Sequence, residues 1–212
     1  MKRCVVVCVG VFVLAVLAAA PVMAAVNFDL GIKAGVTMSN VRWSDDDGEE
    51  TALIRPTFGA FALIRVNPTL EIQPEIDFMT VGEQWSFSDE GGSGKYTEVY
   101  NYIHIPVLIK ARLAKQGKIV PVVFAGPAVG ILLSAKDRAY IDGDLVFTYD
   151  MKQDLKSTDF GVDLGAQAEM MLSDLKLIID LRYYLGLTNV YAADSKFTLK
   201  NNSVMLTAGV AF

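Results

Sequence analysis

From Phe28 onward the apolar residues of this chain keep to every second position, in one segment after another. In the first segment Phe28, Leu30, Ile32, Ala34, Val36 and Met38 oppose Asp29, Gly31, Lys33, Gly35 and Thr37. Successive side chains of an extended chain point to opposite faces, so such a segment is a strand with one oily face and one polar face. The pattern returns with Leu70, Ile72, Pro74, Ile76 and Phe78 against Glu71, Gln73, Glu75 and Asp77, and with Ile103, Ile105, Val107, Ile109 and Ala111 against Tyr102, His104, Pro106, Leu108, Lys110 and Arg112. Phe160 to Met170 repeats it with Asp159, Asp163 and Glu169 on the polar side. Leu175 to Tyr183 does so with Lys176, Asp180 and Arg182, and Val204 to Phe212 with Ser203 and Thr207. Such repetition of period two predicts an all-β fold. Pro56 to Val66 reads as a second strand with Arg65 on its polar face. Ile119 to Leu133, apolar on both parities, is taken as a fifth because its neighbours need a partner.

The connections between these eight strands alternate in length. Asn67-Pro68-Thr69, Ala114 to Lys118 and Ser173-Asp174 are short turns rich in breakers. Between them come long polar segments at Arg42 to Arg55, Gly82 to Thr97, Ser134 to Ser157 and Thr188 to Asn201. The expected architecture is an eight-stranded antiparallel up-and-down transmembrane β-barrel, with short periplasmic turns and long extracellular loops. A soluble barrel with its oily face inside would show the same period. Three features favour lipid outside: glycines interleaved with charges on the polar face, aromatic residues near the strand ends, and signs of export.

Those signs lie at the start. Met1-Lys2-Arg3 is positive, Cys4 to Ala19 is apolar, and Val22-Met23-Ala24 offers small residues for cleavage. Residues 1–24 are read as an export signal and 25–212 as the barrel domain. The alternative, an inner-membrane anchor, fits the apolar length, but Pro21 and the alanines resemble a cleavage region. Both cysteines, Cys4 and Cys8, fall in this segment, so thiol and disulfide chemistry is not expected of the mature chain. Removing Lys2 and Arg3 from 19 basic residues, and none of the 24 acidic ones, leaves a net charge of about −7. Such an acidic exported chain is a poor partner for nucleic acid.

Four stretches carry a family likeness: YIHIPVLIK at Tyr102 to Lys110, FAGPAVG at Phe124 to Gly130, DFGVDLGAQAEM at Asp159 to Met170 and LRYYLGLTNV at Leu181 to Val190. In order and spacing they resemble the PorT-like outer-membrane β-barrels common in Bacteroidetes. The resemblance implies an eight-stranded barrel in the cell outer membrane, with no uniform activity; a secretion role belongs to some members only. The aromatic Phe212 at the end of the last strand is similar to the signal that the outer-membrane assembly machinery reads.

The polar face supplies the candidate residues. Asp29, Glu71, Glu75, Asp77, Asp163, Glu169 and Asp180 would share the lumen with Lys33, Arg65, Lys110, Lys176 and Arg182. A charge sealed in a narrow lumen costs several kcal/mol unless paired, so a structural network is expected and a conducting path is the alternative. His104 is the single histidine, and with no serine elbow, cysteine or second histidine near it in sequence it is expected to be a hydrogen-bonded core residue. A hydrolase or acyltransferase would be the enzymatic alternative. Asp45, Asp46, Asp47, Glu49 and Glu50 form an acidic run that could bind calcium, although they lack the spacing of a calcium loop. Lys136 to Tyr149 holds enough β-formers to extend a hairpin past the membrane. The expected role is that of a non-enzymatic barrel without cofactor, in contact with outer-membrane lipid and lipopolysaccharide, whose loops meet a surface ligand or a secretion partner. Porin-like passage of small solutes is the alternative.

Overall fold

The computed structural model describes residues 28–42, 51–89, 92–114, 117–173, 175–191 and 198–212. The expected export segment and the acidic run from Asp45 to Glu50 lie outside the described residues. In chain order the strands are β1 (Phe28–Arg42), β2 (Thr51–Asn67), β3 (Leu70–Asp89), β4 (Gly92–Arg112), β5 (Val120–Ile141), β6 (Asp144–Asp150), β7 (Thr158–Leu172), β8 (Leu175–Gly186) and β9 (Lys200–Ala211). Neighbours run β4, β3, β2, β1, β9, β8, β7, β5, and β4 pairs back onto β5. Eight antiparallel strands thus close into a ring, which removes the open edges an isolated sheet would expose. β6 stands outside the ring, paired to β5.

The oily faces point outward. On β1, Ile32 is 58% exposed while Thr37 is fully buried. Leu30, Ile54, Ile76, Ile109, Phe160 and Ile179 are likewise exposed, and Asp77, His104, Lys110 and Asp163 are buried. A water-soluble barrel would have the reverse. β5 resolves its ambiguous parity by setting Val122, Phe124 and Leu132 inside and Val123 and Leu133 outside. The outer belt dips into a groove of about 560 Å³ where Ala34, Ala168 and Ala208 leave room among Ile32, Leu177 and Ile179.

The first short turn closes as the sequence suggests. Asn67 Oδ1 accepts hydrogen bonds from the Thr69 and Leu70 amides and the Thr69 hydroxyl, each at 2.9 Å, and so folds Asn67-Pro68-Thr69 back on itself. The opposite end departs from expectation. Much of Gly82 to Thr97, read as a loop, is sheet, and the hairpin expected at Lys136 to Tyr149 forms: β3, β4 and β5 run to 20, 21 and 22 residues, against 12 for β8 and for β9. About 9 to 11 residues suffice to cross a membrane, so the three long strands project well past it. The physical reason lies in β-formers such as Val81, Trp85, Tyr96, Val99 and Tyr140, which pair across strands despite their polar neighbours. Asp142 and Gly143, with φ of 49° and 91°, make the two-residue turn that sends β5 into β6.

Gly82, with φ of 149°, sits where the β2–β3 register slips, and a Cβ there would lie 2.0 Å from the Glu98 carbonyl. Gly161 has a different task. Its missing side chain admits the Tyr184 ring, which a Cβ would meet at 2.3 Å.

Candidate functional site

Inside the short-turn half of the ring the polar faces of six strands converge. Arg182 of β8, 1% exposed, is the centre. It donates two hydrogen bonds to Glu75, at 2.7 and 2.9 Å, and one each to Asp180 at 3.1 Å and Asp163 at 3.3 Å. Its guanidinium also lies 5.2 Å from the centroid of the Phe124 ring. Lys33 of β1 joins Glu75 and, at 3.0 Å, Asp77. Nearer the short turns, Lys110 donates to Glu169 at 2.8 Å and lies 3.4 Å from Glu71, and Arg112 reaches Glu71 at 3.2 Å. Lys176 lies 3.5 Å from Asp29, whose carboxylate also takes the half-exposed Arg65.

All twelve lumen residues singled out from the sequence therefore face inward, and their ion pairs join six strands. Arg112, on the same polar face as Lys110, completes the set and was not among them. Gln73 and Gln167 were missed as well; they donate to Glu75 and Asp180, each at 2.5 Å. Neutral amides carry no charge signal in a sequence.

His104 is fully buried, its Nε2 2.9 Å from Asp163 Oδ2 and its ring edge-on to Tyr184 at 4.9 Å. No serine or cysteine hydrogen-bonds to this imidazole among the described residues, so the pair has the geometry of a packed ion-network member. Among the described residues no group of three or more His, Cys, Asp or Glu is placed to hold a metal ion.

The far half of the lumen is built differently. Met79, Val81, Tyr100, Tyr102, Leu132, Tyr184 and Met205 form an apolar plug, and Leu155, Val190 and Leu199 press down on it from the connections above. Those connections are pinned: Lys156 N donates to the Val190 carbonyl at 2.7 Å, Val190 N to the Leu199 carbonyl at 2.9 Å, and Leu155 bridges to Tyr191. Asp159 accepts from Asn201 at 2.8 Å and from Thr188 at 2.5 Å, anchoring the roof to the wall. Sequence reasoning missed this layer because Leu155, Val190 and Leu199 sit singly in polar connections.

Beyond the plug, β3 to β6 continue as a four-stranded sheet. Its barrel-side face carries two rows fixed by register. Trp85, Tyr96, Ala139 and Phe147 are cross-strand neighbours in one, and Glu83, Glu98, Asp137 and Tyr149 in the other. The Trp85 and Tyr96 rings stack with centroids 5.4 Å apart, and those of Phe147 and Tyr149 at 6.4 Å. Glu98 takes the Tyr100 hydroxyl proton in a short hydrogen bond. No lysine or arginine among the described residues forms an ion pair with Glu98 or Asp137. All seven residues of β6 are exposed.

A closed antiparallel ring with an oily exterior, an ionic interior and a sheet reaching past the apolar belt defines a small membrane-spanning β-barrel. The chain belongs to the outer membrane protein beta-barrel domain family, whose model matches residues 23–192. It is therefore a protein of the outer membrane, with the short turns periplasmic and the projecting sheet extracellular. Among solved structures it is similar to the attachment invasion locus protein Ail of Yersinia pestis, at 15% identity over 88% of this chain and 99% of that one, TM-score 0.42. Neisserial surface protein A is similar at 14% identity over 86% and 95%, TM-score 0.45. Outer membrane protein W of E. coli is similar at 11% identity over 87% and 97%, TM-score 0.42. No curated protein matches the chain.

Proposed function

We propose that this chain is a non-enzymatic, non-conducting barrel whose extracellular sheet engages a surface ligand or protein partner. The observation that carries the reading is the exposed β6 strand, held on a rigid hairpin above a lumen filled by ion pairs and roofed by an apolar plug. An interior just wide enough for side chains leaves little room for solute, which disfavours passage. A secretion component, as for some PorT-like barrels, and lipopolysaccharide are the candidate partners of this reading. The outward face of β9, with Phe212 65% exposed, is the proposed contact for the assembly machinery.

The test has two arms. Purified barrel in planar bilayers gives little or no conductance, and steady, frequent openings would overturn the sealed-lumen reading. A photo-crosslinking side chain in place of Phe147 captures a surface molecule in intact cells, whereas one in place of Ile179, in the lipid belt, captures none. Equal background from both positions removes the interaction reading.

A further inference from the structure

The projecting sheet has a second face, which continues the lipid-facing side of the wall. Its border with the apolar belt is a hydrogen-bonded row: Thr80 Oγ1 donates to Asn101 Oδ1 and Asn101 Nδ2 to Ser134 Oγ, each at 2.8 Å. Phe78, Ile103 and Ile131 stand directly below. β3 begins at Leu70, so the roughly 9 to 11 residues that cross a membrane run out between Phe78 and Thr80.

Above that row the face turns basic. Lys136 lies opposite Val99, Arg138 opposite Thr97 and Lys95 opposite Tyr140, all on the side that Ser134 occupies. Lys152 joins them at the border, where its Nζ donates to the Leu133 carbonyl at 2.6 Å. Against these four cations the face sets Asp150, directly opposite Lys136, and at the hairpin tip Asp142, whose carboxylate takes the Ser93 amide at 3.0 Å. Among the described residues no carboxylate forms an ion pair with Lys95, Arg138 or Lys152. A positive excess thus collects on one face of a chain whose net charge is -5.

The cations are spread in height. Lys136 and Arg138 follow Ser134 on the same face by one and by two alternations, about 7 and 14 Å along the strand and about 5 and 10 Å in height for a tilt of about 45°. The headgroup zone adds only about 5 to 8 Å to each side of the hydrocarbon core. A phospholipid headgroup therefore meets Lys136 and Lys152 and falls short of Arg138 and Lys95. Lipopolysaccharide carries phosphate at the membrane surface and on the sugars above it, and lysine and arginine hold phosphate through charge-assisted hydrogen bonds. Resting on the reading of the extracellular sheet as a binding surface, we propose that its lipid-side face holds a lipopolysaccharide molecule by phosphates at both levels.

The experiment uses the full chain in detergent micelles, titrated with lipopolysaccharide of short, phosphorylated core, and counts lipid adducts by native mass spectrometry. The lipid binds, and its dephosphorylated form binds weaker by on the order of tenfold, as loss of a few cation contacts with an anionic headgroup would give. A triple variant, Lys95→Gln with Arg138→Gln and Lys152→Gln, weakens binding of the intact lipid by a similar factor, with heat-modifiable gel migration verifying its fold. Lys118→Gln, at a periplasmic turn, leaves binding unchanged. Equal binding of the two forms of the lipid overturns phosphate recognition. A triple variant that binds like the unaltered chain, or an equal loss in Lys118→Gln, overturns the assignment to this face. Phosphatidylglycerol competing as well as lipopolysaccharide overturns contact at two levels. A crosslinking side chain in place of Tyr140 captures lipopolysaccharide in intact cells, and capture of protein alone makes an acidic protein the occupant and overturns the proposal. Failure of the docking surface itself is read separately, as absence of crosslinking from the Phe147 position on the opposite face.

Discussion

Glu75 and Glu98 are the same residue type, both buried and both on strands, yet they stand in opposite circumstances. Glu75, in the lumen, receives Arg182 through two hydrogen bonds and Lys33 through an ion pair. Glu98, above the plug, has the Tyr100 hydroxyl and, across the strands, two further carboxylates. Where every carboxylate has its cation, the charges hold the ring together. Above the plug Glu98 forms no ion pair with a lysine or arginine among the described residues, and burial there works against its charge. The contrast separates the ion-paired interior of the ring from the sheet that projects beyond the plug.

The strongest break of that contrast is Arg182→Met. It leaves Glu75, Asp163 and Asp180 buried without their shared partner, which should cost about 3 to 5 kcal/mol, as removal of one member of a buried pair does. Urea titration of the barrel in lipid measures it. A second change, Glu75→Gln, in the same chain should recover part of the loss; a double variant no better than the single would mean that Arg182 stabilises by packing on Phe124 instead. Next in size is Leu199→Ala in the roof, expected to cost about 2 to 3 kcal/mol by opening a cavity over the plug. That loss should leave the lumen network intact, so the cost should add to that of Arg182→Met within a few tenths of a kcal/mol.

The smallest effect is a pH dependence confined to the extracellular sheet. Burial raises the Glu98 carboxyl above its usual range, against the Tyr100 hydrogen bond that lowers it, and Asp137 adds to the rise. Burial raises Asp137 too. The folded sheet thus binds these protons more tightly than the unfolded chain does. Its extra stability is complete below the ordinary carboxyl range of about 4 and fades as pH rises through the elevated folded values. Protection factors over 83–89 and 92–100, that is exchange rates corrected for the intrinsic pH dependence of amide exchange, should be higher in mild acid than at neutral pH, and Glu98→Gln should flatten the difference. Unchanged pH dependence in that variant would assign it to another group.

Much of the architecture was legible beforehand because a period of two leaves little choice. Moving a strand's register by one residue would turn Ile32 and Ile179 inward and Lys33 and Asp180 into lipid, so the grouping of residues into faces follows from parity, while the interleaved glycines, the strand-end aromatics and the signs of export favoured lipid on the oily side. The inward set from Asp29 to Arg182 followed for the same reason. Partnership within that set did not. Arg182 and Glu75 are 107 residues apart, and their meeting depends on how strands far apart in the chain are staggered around a closed ring. The plug was hidden because single leucines in polar connections show no period. Of the projecting sheet, the hairpin at Lys136 to Tyr149 was legible from its β-formers around Asp142-Gly143, whereas Gly82 to Thr97 was hidden because its composition looked like loop.

The sequence by itself determined which residues share a face on every strand but β5, since alternation is a local property of an extended chain. Only the tertiary structure decided which buried acid meets which cation, because that depends on long-range register, where a shift of one strand by two residues keeps every face and exchanges every neighbour.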